Sequence, residues 1–334
     1  DLFLMETLDW TSANPYLLGR WSSLYAGVNR ANSVISLISK IDGEDLTQQL
    51  AEARFLRAIF NFDLQKMWVN VPYISEENFD ATEFNQPNPG PIWNEIEADL
   101  EFAAANLPDN QAEKGRAKAW AARAFLGKAH LFQGDFANAL TQLTNVIDNG
   151  PYDLLPEFVD NFRLAGENGN ESIFAVQFTA DDGQSFNGNI GSTLNFPGGG
   201  PFGSCCGFYQ PTQDLVNAYQ TDAGGLPLLN SFNQTDVAND YGLDSYQTDS
   251  EGNVLEDPEG NPIPTAYTLH AGNLDPRIDY TVGRRGIDNN GWGINPGKVW
   301  IRASFADISG PYLSKKNVYH NGDDANQGSG AWGQ

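Results

Sequence analysis

The chain has 334 residues, enough for one large domain or two joined ones, and carries 19 Lys and Arg against 43 Asp and Glu, a formal charge of −24. That charge repels phosphate backbones and disfavours anionic ligands, so nucleic acid is not expected as a partner. No run of about 18 apolar residues occurs, so no membrane-spanning helix is expected. Its 8 Trp, 12 Tyr and 20 Phe, set among many Asn, Gln and Asp, suit neutral polar ligands such as sugars.

Taken in chain order, Leu17, Trp21, Leu24, Val28, Ala31, Ile35 and Ile38 recur at alternating steps of four and three and predict a first helix, ended by Gly43. A second follows through Ala53, Leu56, Phe60, Leu64 and Met67, with Phe55, Ile59 and Phe62 forming another apolar side, the pattern of a helix sandwiched between neighbours. Pro87, Pro89 and Pro91 break the chain before a third, striped by Ile92, Ile96, Leu100 and Ala103 and closed by Pro108. The fourth is rich in small residues, from Ala117 through Gly127 to Ala129, which lets neighbouring backbones approach closely. Asp135 is placed to cap a fifth, expected to turn Ala139, Leu140, Leu143 and Ile147 inward and to stop at Gly150-Pro151. Leu126-Gly127, Gly134-Asp135-Phe136, Ala139, Leu143 and Pro151 follow the tetratricopeptide spacing, although Arg123 and His130 stand where that pattern has Trp and Tyr. His130, Trp21, Trp93 and Trp120 fall at helical spacing and read as packing residues, and Arg54 and Arg57 as partners of acids in neighbouring repeats.

Beyond Gly150 the helical period fades and Gly, Asn, Pro and Asp rise, so the expected organisation is helical repeats over residues 1–150 and a loop-rich part over 151–334. Residues 172–178 read as a short strand, and Asp249-Ser250-Glu251-Gly252-Asn253 with Pro258-Glu259-Gly260-Asn261-Pro262 as turns of a hairpin insert. Gly252 comes too early for an EF-hand loop, which favours solvated turns and leaves an irregular structural calcium site as the alternative; no other cofactor is expected. Cys205-Cys206 are too few for a disulfide framework, and free thiols or a strained vicinal bridge both fit. Gly198-Gly199-Gly200-Pro201-Phe202-Gly203 matches a nucleotide loop on paper only, since no strand-turn-helix surrounds it. The three histidines, His130, His270 and His320, belong to no metal or nucleophile motif, and with so many carboxylates a glycosidase-like pair carries no information.

Glu52-Ala53-Arg54-Phe55-Leu56-Arg57-Ala58, followed by Phe62-Asp63-Leu64 and Val71-Pro72-Tyr73, resembles the signature of the SusD/RagB family. Asn32, the stretch from Trp93 to Leu100, Gly134-Asp135-Phe136, Gly150 to Leu154, Asn170 to Phe174 and Asp275-Pro276-Arg277 agree with it in order. The resemblance implies a mainly α fold, tetratricopeptide-like helical repeats packed against a loop-rich subdomain with few short strands. It implies a non-catalytic, surface-exposed outer-membrane lipoprotein that captures a glycan for a TonB-dependent, SusC-like transporter. Relative to that pattern the lipid-bearing amino-terminal Cys and a carboxy-terminal helical stretch are missing. The sequence therefore reads as a fragment, with anchoring expected of the full-length protein.

A pyranose offers one apolar face and a rim of hydroxyls, so a binder presents an exposed aromatic flanked by planar polar groups. Loop position selects Trp10, Trp292 and Trp300, with Trp332 and Trp68 behind them. Asn14, Asp288 and Asn290 are the expected polar support, and Phe208-Tyr209 an outside candidate. The expected ligand is a neutral, glucan-type polysaccharide or oligosaccharide. The alternatives are a helical-repeat protein scaffold that binds no glycan and, less favoured, a glycoside hydrolase.

Overall fold

The computed structural model describes residues 2–80, 86–177, 201, 210–240, 242–300, 310–316, 318 and 320–323. It divides into two units, Asp1–Leu154 with Asn168–Gln177, and Leu155–Glu167 with Phe178–Gln334. Among the described residues, eight α-helices and one two-stranded ladder make the fold mainly helical.

The first unit begins with a short helix, α1 (Leu2–Glu6), followed by the five helices that the apolar periodicity foretells: α2 (Pro15–Ile38), α3 (Thr47–Trp68), α4 (Trp93–Asn106), α5 (Ala119–Phe132) and α6 (Phe136–Asn149). Each packs on the next in order, so α3 lies between α2 and α4. Its two apolar sides account for that, with Phe55, Ala58, Phe62 and Leu64 buried. Leu56 and Met67, expected inside, are exposed, although Ala53 and Leu64 of the same stripe are buried. The stripe of Ile92, Ile96, Leu100 and Ala103 is buried as expected.

Small residues set the spacing. A Cβ on Gly127 would stand 2.8 Å from Leu143 Cγ, so α5 and α6 meet as closely as they do only because that side chain is missing. Asp135 caps α6 by accepting the Asn138 N–H. The resulting seat corrects the sequence reading of α6. Ala139 and Val146 point inward, whereas Leu140 and Ile147 are 68% and 74% exposed and share the outer face with Phe136. Residues 172–177 are likewise not a strand; they run without a ladder and lay Phe174 edge-on against Phe55 and Phe125, at 5.1 and 6.3 Å.

The signature residues converge on one buried charge. Asp99 of α4, 1% exposed, accepts Arg57 Nε at 2.6 Å, Arg57 Nη2 at 2.8 Å and Arg54 Nε at 2.6 Å, both arginines standing on α3. Arg57 Nη1 also reaches Asn32 Oδ1 of α2 at 2.9 Å and the Glu76 carboxylate. Asn32 Nδ2 in turn donates to Ile74 O and Tyr25 Oη to Pro72 O, pinning the Val71-Pro72-Tyr73 segment. Burial alone would lower the Arg57 pKa, but its hydrogen bonds and charge pairing with Asp99 hold it above the ordinary arginine value.

In the second unit the helices are a single turn or little more, α7 (Gln213–Asn217) and α8 (Ile278–Thr281). β1 (Val282–Gly283) pairs antiparallel with β2 (Leu313–Ser314), Val282 opposite Ser314. Val216, Val237, Ile278, Val282 and Tyr312 form its main cluster. Asp275-Pro276-Arg277 starts α8, the Asp275 carboxylate accepting the Arg277 backbone N–H and its guanidinium.

Because one buried carboxylate answers the buried Arg57 guanidinium and the half-buried Arg54, Asp99→Asn should destabilise the chain by about 3–5 kcal/mol, the cost of a broken buried pair. An Arg57→Met, Asp99→Leu double variant should recover part of that loss. Thermal and urea unfolding followed by circular dichroism measure both, and an unchanged midpoint in Asp99→Asn would remove the cluster from the account of stability.

Candidate functional site

Trp10 belongs to the first unit, in the connection between α1 and α2. Leu8 takes a left-handed φ of 58°, the Asp9 N–H returns to Leu4 O, and the Asn14 N–H closes a turn on Thr11 O. Between these turns the Trp10 side chain is 44% exposed. Asn14 is buried, and its side-chain oxygen accepts the Tyr16 N–H at 3.0 Å, capping α2 ahead of Pro15. The cap also fixes the start of the helix turn that carries Tyr16, an exposed ring that the search for loop tryptophans passed over.

Trp292 and Trp300 belong to the second unit, where both are half-buried against Leu313 and Val318. Trp292 rides a tight loop from Asp288 to Ile294, which bridge each other antiparallel. Asp288 uses its carboxylate on the loop itself, accepting Gly291 N–H at 2.7 Å and Gly293 N–H at 3.2 Å. Asn290 is 7% exposed and donates Nδ2 to Val318 O at 2.9 Å and Lys315 O at 3.2 Å. Lys315 Nζ donates to Asp288 O at 2.7 Å, and Asn321 Nδ2 to Gly291 O at 3.0 Å. Burial pushes the Lys315 ammonium down, opposed by Asp279 and Asp288. All three polar residues expected to support a ligand thus hold backbone: Asn14 a helix start, Asp288 a turn, Asn290 the neighbouring segment. Trp68 stacks edge-on with Trp21 at 5.1 Å in the helical unit. Trp332, Cys205-Cys206 and Phe208-Tyr209 lie outside the described residues, as does all of the 198–203 glycine stretch except Pro201.

The acidic insert, expected as a hairpin, is a pair of hairpins with an eight-residue period. The Gln247 N–H donates to Ile263 O, the Leu255 N–H to Gln247 O and the Ile263 N–H to Leu255 O, so three segments close on one another. Asp249 and Asp257 each accept the backbone N–H groups two and four residues on, from Glu251 and Asn253 and from Glu259 and Asn261. Arg285 anchors the base by donating to Ser245 O and Thr265 O. The carboxylates foreseen as calcium ligands or solvated turns are turn-makers, and among the described residues no group of three or more His, Cys, Asp or Glu is placed to hold a metal.

A further aromatic group, Phe158, Phe162 and Tyr280, has ring centroids 5.3 and 5.7 Å apart along its two contacts. Lys316 Nζ lies 3.0 Å from the Phe162 centroid, and burial pushes its pKa down to about 8.

The family model described as starch-binding and associating with the outer membrane matches residues 3–131, and the SusD family model matches residues 170–334. The chain belongs to the SusD family. A SusD-like protein of Bacteroides ovatus is 31% identical over 192 residues, covering 52% of this chain and 35% of that one. SusD-like protein P25 of Formosa agariphila is 25% identical over 188 residues, with 53% and 35% covered. The chain therefore spans about a third of the length of these curated relatives. A solved structure determined with a xylogluco-oligosaccharide is 28% identical, with a TM-score of 0.58 over 65% of this chain and 46% of that one. A SusD superfamily protein of Bacteroides vulgatus shares the fold over 94% of this chain and 57% of its own, with a TM-score of 0.61 at 18% identity. No helix of the described residues is long and apolar enough to cross a membrane.

Lys316 sets a pH dependence whose sign is fixed. A base whose pKa falls on folding leaves the unfolded chain holding more protons between about 8 and the ordinary lysine value, so its contribution to stability rises with pH across that window and is unfavourable below it. Subtracting the unfolding free energy of Lys316→Met from that of the wild type at pH 7, 8 and 9 should give a difference that grows in the wild type's favour. A flat or falling difference contradicts the assignment.

Proposed function

We propose that this SusD-family chain is the ligand-bearing part of a non-catalytic surface protein that holds a neutral, glucan-type saccharide and delivers it to a TonB-dependent, SusC-like transporter of the outer membrane. The observation that carries this reading is the clamped loop that presents Trp292 half-buried, with its backbone fixed before any ligand arrives. An indole of that kind meets the apolar face of a pyranose without first giving up loop entropy. Trp10, exposed between two turns, and Trp300 are the other proposed platforms. The similar structure determined with a xylogluco-oligosaccharide supports a β-glucan-like ligand, and the net charge of −24 favours a neutral one. Anchoring through a lipid on the full-length protein belongs to the same proposal.

A protein scaffold without glycan binding is the second reading, favoured by the exposed ridge of Phe136, Leu140 and Ile147 on α6. Calorimetry or affinity electrophoresis against xyloglucan, mixed-linkage β-glucan, starch, mannan and an anionic glycan separates the two. Binding to a neutral glycan is expected, with Trp292→Ala weakening it about tenfold or more, equivalent to about 1.4 kcal/mol, while the melting temperature holds. Folded protein that ignores every neutral member of the panel would leave the scaffold reading in possession. Reducing-end release on prolonged incubation tests the hydrolase alternative and is expected to be nil.

A further inference from the structure

We infer that Asn290 is the positioning residue for Trp292, acting on ligand only through that indole; this rests on the glycan reading above. The loop between Asp288 and Ile294 has two backbone bonds of its own, Asn289 N–H to Gly293 O and Trp292 N–H to Asn289 O, around a costly set of conformations. Asn290, Gly291 and Gly293 all take left-handed conformations, with φ of 55°, 79° and 110°. Two of the three are glycines, and the Asx-type bonds of Asp288 reach only Gly291 and Gly293 within the loop. The loop is tied to the segment beyond it by the Asn290 amide, buried and aimed at Lys315 O and Val318 O, and at its first residue by Lys315 Nζ on Asp288 O. The Asn321 N–H adds a bond back to Asn290 O, so the two residues next to the indole are held from both sides. The same segment that receives the amide also supplies Leu313 and Val318, the apolar seat of the Trp292 ring. The clamp and the seat therefore move together, and a ligand that needs the indole in one pose depends on the clamp being closed.

Asparagine suits this place for two reasons. Its short amide tolerates a left-handed backbone better than most side chains, and it donates two hydrogens where two carbonyls converge. Glycine keeps the backbone and loses the donors. Aspartate keeps the size and the backbone but turns a carboxylate toward two carbonyl oxygens. If only a fraction of molecules keep the loop closed, apparent affinity falls by that fraction.

The test uses the 334-residue chain and the neutral glycan that binds best in the panel above. Asn290→Gly should raise the dissociation constant about five- to tenfold, mainly through a less favourable entropy, and Asn290→Asp should do at least as much. In a Trp292→Ala background the same substitution should change affinity less than twofold, since there is no indole left to position. A second readout needs no glycan. With 5-fluorotryptophan incorporated, the Trp292 resonance, assigned by Trp292→Phe, should be one narrow line in the wild type and broadened or split in Asn290→Gly. Asn321→Ala, which removes only the bond to Gly291 O, is the milder variant should Asn290→Gly fail to fold, and should broaden the line less. An unchanged line, or an equal loss of affinity with and without the indole, overturns the proposal. A wild type that binds no glycan while Asn290→Gly still broadens the line leaves the positioning role standing and removes the glycan reading.

Discussion

The helical unit depends on a single carboxylate. Asp99 is almost wholly buried, and two guanidinium groups from α3 close on it, one of them extending to α2 through Asn32 and to the segment after α3 through Glu76. Van der Waals packing alone leaves helices free to slide along one another by a fraction of a turn. A buried charge with three fixed donors does not, because any shift strands a guanidinium in the apolar interior. The register of α2, α3 and α4 is therefore set electrostatically, and the small residues on α5 then let α5 and α6 follow at close range. This gives a physical reason for a signature that resembles a family pattern. Arg57, Asn32, Asp99 and Val71-Pro72-Tyr73 lie far apart in sequence and are one structural object.

The second unit has little regular structure to lean on, and it solves the same problem with side chains bonded to backbone. Irregular segments leave N–H and C=O groups that need partners. Asp249, Asp257 and Asp288 each satisfy two backbone N–H groups within their own turn, and Asn290 and Arg285 each satisfy two carbonyls of another segment. Much of the Asn and Asp content that at first reading suits sugars is occupied in this way. The aromatics are what suggest the saccharide proposed above, while the amides and carboxylates largely hold the loops in shape.

How much was legible in the sequence divides along the same line. Five helices, the cap at Asp135 and the sandwiching of α3 follow from spacing, because a 3.6-residue period survives whatever the neighbours are. How far each apolar stripe is covered does not. Leu140 and Ile147 on α6 and Leu56 and Met67 on α3 fall at buried spacing, yet they are exposed while Ala139 on α6 and Ala53 and Leu64 on α3, of the same stripes, are buried. The tryptophans could be sorted into helical and loop groups, and Trp21 and Trp292 sit accordingly, whereas Trp68, kept as a lesser loop candidate, ends α3 and packs on Trp21. The roles of Asn14, Asp288 and Asn290 were not legible, since nearness to an aromatic in sequence does not tell whether an amide faces ligand or backbone. The repeat across Asp249 and Asp257 was visible as two similar turns. Its closure into three mutually bonded segments depends on contacts eight and sixteen residues apart, which no local pattern encodes.

These two modes of construction bear differently on ligand capture. A charge-locked helical array gives Trp10 a rigid base but leaves the indole on a connection whose turns are short and local. The loop of Trp292 gets its rigidity from a segment about 25 residues further on, so its shape is a tertiary property. A platform held by tertiary contacts is costly to disturb and presents one pose, which suits discrimination among glucan shapes. One held by local turns adapts, which suits tolerance of side chains on a branched ligand. On the proposed reading, selectivity within the second unit is expected to reside at Trp292 and its clamp, and the Trp10 connection of the first unit to be the more tolerant element.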